Sequence, residues 1–168
     1  MKWKQGKIRT SNLNYYIGKQ KEIIFRSSWE LKAFQILEMY GKIGKIIGWS
    51  SEDIIIPYKS DLDEKIHRYY MDLRIETNTR TLLVEIKPAA ETHFPNKPRT
   101  FKSDKHKQNY ERKVATVIKN QNKWSQTLKY CEMMTERTGR QWDFQIWTEK
   151  RKNETPPSNP YIREAFTV

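Results

Sequence analysis

The stretch YYMDLRIETNTRTLLVEIK, residues 69–87, decides how the chain is read. Two runs of alternating apolar residues flank the polar tetrapeptide Thr77-Asn78-Thr79-Arg80, which is the pattern of a β-hairpin. With the turn centred between Asn78 and Thr79, position 75 pairs with 82, 73 with 84 and 72 with 85. Alternation puts Tyr70, Asp72 and Arg74 on one face and Met71, Leu73 and Ile75 on the other. In the second strand Leu83, Glu85 and Lys87 share a face, opposite Leu82, Val84 and Ile86. Two acids, Asp72 and Glu85, therefore face each other across the ladder. Like charges so placed, with Cβ atoms roughly 5 Å apart, destabilise a sheet.

Two carboxylates that close need a shared proton or a cation. Hard oxygen donors without a cysteine or histidine cluster suit Mg²⁺ or Mn²⁺, held by Asp72 and Glu85 together with waters and phosphates. Lys87, two residues from Glu85, neutralises part of the charge without metal. With metal it is positioned to orient or deprotonate a water. Upstream, Ser27 and Glu30 have capping-box spacing at the start of a helix marked by Trp29, Ala33, Phe34, Leu37 and Tyr40. Glu30 shares the stripe of Ala33, Phe34 and Leu37, so it has two compatible roles: closing the cap, and reaching the acidic patch. Arg26 and Ser27 precede the first amides of that helix, a ready anion site.

Working outward, NYYIG, EIIF, KIIGW and DIIIPY read as short strands, Gly41 and Gly44 end the first helix, and KSDLDEK is a turn before the hairpin. Residues 88–109 form a proline- and lysine-rich loop carrying Lys97, Arg99, Lys102, Lys105 and Lys107 against only Glu91 and Asp104. A second helix spans 110–138, broken near Asn120, with Val114, Val117, Ile118, Trp124, Leu128 and Cys131 as its apolar stripe and Gly139 beyond its end. WDFQIW, 142–147, alternates as a strand. The expected organisation is one α/β domain over 1–150, in the order helix, strands with hairpin, helix, strand. A loosely attached proline-rich tail, 151–168, follows it.

The chain's 168 residues carry 32 Lys+Arg against 20 Asp+Glu, a net charge of +12. That surplus is the electrostatic footprint of a partner with a negative surface, and the 97–107 lysines are the expected grip on a DNA backbone with little sequence preference. The single cysteine, Cys131, excludes an internal disulfide framework and any cysteine-based zinc cluster. No apolar run approaches the ~20 residues of a membrane span, and MKWKQGKIRT lacks a signal-peptide core. The expectation is an intracellular protein with no membrane association.

Glu30 in FRSSWE, Asp72 in YYMD and Glu85-x-Lys87 in LLVEIK resemble the PD-(D/E)xK nuclease superfamily, with Met71 where that family has proline. The wider wording, RSSWELK, WSSEDIIIPY, HRYYMDLRIE, LLVEIKP and NQNKW, is similar to head completion proteins of large tailed phages over roughly residues 1–150. A looser likeness is to the nuclease subunit of heteromeric transposases. The resemblance implies a restriction-endonuclease-like core, a central mixed sheet flanked by helices, and Mg²⁺-dependent cleavage of DNA at the end of packaging. It implies phage head or portal proteins as partners, in a virion or host cytoplasm. Asp72 and Glu85 correspond to metal ligands, Lys87 to the water-activating or charge-stabilising residue, and Glu30 to the accessory acid. Gln121 and Lys123 correspond to substrate-contacting residues of the helix after the core strands. Two other functions stay open: a non-catalytic DNA-binding virion component that caps the portal, and a transposase subunit that needs a partner.

Overall fold

The structure, a computed structural model, describes residues 5–150 and 161–167; residues 1–4, the proline-rich part of the tail, 151–160, and residue 168 lie outside that description. Strands β1 (Gly6–Arg9) and β2 (Glu22–Phe25) form an antiparallel pair. Helix α1 (Ser28–Lys42) follows, then β3 (Gly48–Ser51), β4 (Ile55–Lys59), β5 (Ile66–Tyr70), β6 (Leu73–Glu76) and β7 (Arg80–Ile86). Helix α2 (Asp104–Thr138), β8 (Gln141–Lys150) and β9 (Ile162–Thr167) complete the order. The central sheet runs β3-β6-β7-β8-β9, antiparallel from β3 to β7 and parallel from β7 to β9. It is the mixed sheet of a restriction-endonuclease-like α/β core, with one helix on each face.

Composition explains the layering. Strand β7 reads as a nearly continuous apolar run because both its faces are covered. Val84 and Ile86 pack with Leu73, Ile75 and Trp147 against Ala33, Phe34 and Leu37 of α1. Leu83 packs with Phe144 and Ile146 against Trp124 and Cys131 of α2. Helix α1 starts where the Ser27 hydroxyl accepts the Glu30 amide at 3.1 Å. It ends at Gly44, whose φ of +73° lets the Lys45 amide reach back to the Tyr40 carbonyl at 2.9 Å.

The hairpin has the expected register: Leu73 faces Val84, Ile75 faces Leu82 and Glu76 faces Thr81. Its turn closes through Thr77, whose amide donates to the Arg80 carbonyl at 3.0 Å. Its first strand, however, is not continuous. Tyr70 ends β5, which pairs with β4, and Leu73 begins β6; between them the Met71 amide donates to Ile54 and its carbonyl accepts from Glu52. This detour breaks the alternation, so Met71 and Tyr69 join the core beneath α2 while Leu73 and Ile75 join the core beneath α1.

Three other expectations change. Helix α2 begins at Asp104, capped by the Ser103 hydroxyl accepting the His106 amide at 3.2 Å, so Lys105 and Lys107 lie in its first turn and not in a loop. It runs unbroken through Asn120, whose buried side chain donates to the Glu91 carbonyl at 3.1 Å. The tail returns to the fold, because Ile162–Thr167 is strand β9, parallel to β8 at the sheet edge. Among the described residues no helix is long and apolar enough to cross a membrane.

Candidate active site

The site grows from the carboxyl end of β7. Strict alternation from Leu83 carries Glu85 to the α2 face, where it is 1% exposed. A carboxylate that deep is tolerable only if it is paired and hydrogen-bonded. Both oxygens are engaged: Oε1 meets Lys87 Nζ at 3.0 Å, and Oε2 accepts the hydroxyl of buried Tyr69. Lys87 follows two residues on, at the strand end, and its amide is fixed by the Trp147 carbonyl at 3.1 Å.

Asp72 stands where β6 and β5 part. The chain's detour at Met71 withdraws the carbonyl that would continue the ladder, and Asp72 Oδ2 takes its place, accepting the Ile86 amide at 2.7 Å. Half-buried Asp72 is thereby held beside Glu85 by a main-chain bond. Burial and then the Glu85 charge push its carboxyl well above the usual carboxylate range; Lys87 and the Ile86 amide oppose them. Glu30 adds a smaller upward push. Burial works to lower the Lys87 pKa, but Glu85 and Asp72 outweigh it and hold the ammonium above its ordinary value. Burial also lifts the Tyr69 phenol well above its ordinary value, and Glu85 adds to it.

The donor set fits a hard divalent cation. Two carboxylates meet with no thiol or imidazole bonded to either, and Asp72 Oδ1 makes no hydrogen bond or ion pair among the described residues. Mg²⁺ keeps several waters and needs only one or two protein carboxylates. Among the described residues no group of three or more His, Cys, Asp or Glu side chains is suited to a metal, so any ion here takes its remaining ligands from main-chain, water or substrate oxygens.

The other residues singled out in the sequence divide. Glu30 closes the cap: Oε1 accepts the Ser27 hydroxyl at 3.0 Å and Oε2 the Arg26 amide at 2.9 Å. Arg26 is exposed and ion-paired with Glu52. Lys123 Nζ sits 4.6 Å from the centre of the Tyr69 ring, a cation–π contact that brings α2 onto the acidic patch. Burial lowers its pKa; Glu85 resists, while Lys87 and Lys119 add to the lowering. Gln121 is exposed and has no such contact with the patch. Lys97, Arg99, Lys102, Lys105 and Lys107 are all exposed, and Lys107 pairs with Glu111 at 3.9 Å. Sequence reasoning missed Tyr69, because unbroken alternation assigned it to the face away from Glu85.

Residues 44–149 match the family described as TnsA-like endonuclease, N-terminal. The head completion nuclease of Enterobacteria phage T4 is 33% identical over 145 residues, which cover 86% of this chain and 90% of that protein. No solved structure matches the chain.

Proposed function

The chain belongs to the TnsA-like endonuclease N-terminal family, and from that premise we propose that it is a metal-dependent DNA endonuclease of the PD-(D/E)xK type acting in phage head completion. The observation that carries the reading is the meeting of Asp72, Glu85 and Lys87 at one strand end. Each is held by a bond specific to that spot: the Ile86 amide on Asp72, the Tyr69 hydroxyl on Glu85 and the Glu85–Lys87 ion pair.

In this reading Asp72 and Glu85 hold Mg²⁺ or Mn²⁺. Bound there, such an ion polarises a phosphodiester and lowers the pKa of a water. Asp72 contributes a carboxylate whose direction is set by the main chain, so little reorganisation is needed on binding. Glu85 contributes a carboxylate whose position is fixed by Tyr69. Lys87, paired with Glu85, acts as the cation that supports charge developing on the phosphate oxygens. Glu30 acts through its field on Asp72 while it caps α1, and so serves as the accessory acid. The exposed cations Arg26, Lys97, Arg99, Lys102, Lys105 and Lys107, with Gln121, offer contacts to the DNA backbone. The phage head or portal is the assembly in which such cutting has a use.

Incubation of the purified chain with plasmid DNA tests the reading, with Mg²⁺, with Mn²⁺ and with chelator. Nicked or linear product is expected only with metal, and none from Asp72→Asn. Binding without cutting under all three conditions would overturn the nuclease reading and favour a non-catalytic DNA-binding component of the virion.

A further inference from the structure

Helix α2 is 35 residues long, and its acids are kept off one face. Lys105, Arg112, Lys119 and Lys123 are spaced by seven, seven and four residues. At 3.6 residues per turn these spacings return to the same side, within about 40° of one another. The four acids of the helix, Asp104, Glu111, Glu132 and Glu136, all lie about 80° or more round from the centre of that stripe. Lys107, off the stripe, is the lysine paired with Glu111. Lys105, Arg112 and Lys119 are exposed and make no ion pair among the described residues; the one side-chain bond from Arg112 goes to Asn109 at 3.3 Å. Lys119 and Lys123 are four apart, a spacing at which like charges repel. The row as a whole presents positive charge at about 10 Å intervals, with no protein anion among the described residues to neutralise it, which suits an extended anionic occupant.

The stripe has a direction. Its last member, Lys123, lies over the Tyr69 ring, and Tyr69 donates to Glu85. From Lys105 to Lys123 the row covers about 27 Å of helix axis. We propose that this face of α2 is a track for the sugar-phosphate backbone of one DNA strand, which it leads to the Asp72, Glu85 and Lys87 patch. The inference rests on the nuclease reading for its destination, and on the row of unpaired cations for its existence. It adds to the cations of the preceding loop a continuous grip along one helix face.

The test compares two triple variants by DNA binding in chelator, so that no cutting intervenes. One is Lys105→Gln/Arg112→Gln/Lys119→Gln. The other is the equal-charge control Lys42→Gln/Lys65→Gln/Lys129→Gln, whose exposed lysines lie off the stripe. Glutamine keeps the helix propensity of lysine and arginine, so both variants should fold, which circular dichroism checks. For duplex DNA the stripe variant should lose about 2–3 from the slope of log affinity against log salt, at ~0.9 per phosphate contact. The control should keep the wild-type slope. Neutral methylphosphonate linkages should weaken wild-type binding at consecutive positions of one strand, and should have no such effect on the stripe variant. Equal slopes for the two variants, interference spread evenly over both strands, or a wild type that does not bind DNA would overturn the track. Wild-type binding with the predicted slopes but no cutting with metal would sink the nuclease reading alone. Cutting with an unaltered stripe-variant slope would sink the track alone.

Discussion

Asp72 accepts the backbone amide of Ile86 at 2.7 Å, and so a side chain closes the step of the ladder that the detour at Met71 leaves open. One bond therefore both ends the β6–β7 pairing and aims an acid at Glu85. A buried amide without an acceptor costs about 1–3 kcal/mol. Asp72→Ala should expose the Ile86 amide to solvent exchange, whereas Asp72→Asn, which retains an acceptor oxygen, should keep it protected. Amide hydrogen exchange of the two variants without metal reads this directly; equal protection in both would remove the bond from the account.

Glu76 ends β6, at the turn end of the hairpin. Its Oε1 meets Arg74 Nη1 at 2.8 Å, and its Oε2 accepts the Thr81 hydroxyl at 2.7 Å and lies 3.4 Å from Arg140 Nη2. Arg140 in turn donates to the Arg80 carbonyl at 2.9 Å, which ties the hairpin turn to the segment after α2. Glu76→Gln should lower stability by about 1.5–3 kcal/mol, the range for a hydrogen bond to a charged group. The cutting rate of the folded fraction should not change, because the network sits at the turn end of the hairpin. A melting curve and a cleavage rate measured below the melting range separate the two effects.

Cys131 is 4% exposed on the inner face of α2, and burial pushes its thiol up to about 12. The thiolate is the reactive form, so native protein should resist thiol reagents at neutral pH and react only after denaturation. The linkage sign follows from a folded pKa above the unfolded one. The stabilising difference is whole below the unfolded thiol value, near 9, and is lost as pH rises towards about 12. Cys131→Ser should flatten the alkaline end of the stability profile, measured by denaturant unfolding at stepped pH.

The hairpin was legible because its register depends on local signals: a four-residue polar turn and period-two alternation on either side. Those signals set Asp72 opposite Glu85, and the observed Leu73–Val84 pair is one step short of that position. The break at Met71 was not legible, since it comes from pairing with Ile54 and Glu52, partners distant in the chain. Tyr69 was hidden for the same reason. The first turns of α2 carry almost no apolar period, so the apolar stripe marked the helix only from 110 and not from Asp104. Strand β9 needed a parallel partner beyond a proline-rich connection, which no local pattern encodes.

The sharpest test sets Lys87→Met against Asp72→Asn. Lys87 is the partner that keeps a 1%-exposed Glu85 tolerable in the absence of metal. Removing one member of a buried pair typically costs roughly 3–5 kcal/mol. The Lys87 side chain is 23% exposed, which argues for the lower end, about 3 kcal/mol. Magnesium should recover part of that loss by binding the folded state. Asp72→Asn works in the opposite direction. It removes the charge that repels Glu85 and keeps an acceptor for Ile86, so the metal-free protein should be at least as stable as wild type. Its melting temperature should barely respond to Mg²⁺, because one of the two carboxylates is gone. Neither variant should cut DNA. Thermal melts with and without Mg²⁺, run beside a plasmid assay, give a signature of two inactive proteins with opposite metal-free stabilities. A shared sign, or cutting by either variant, would show that the two acids and the lysine do not form one site.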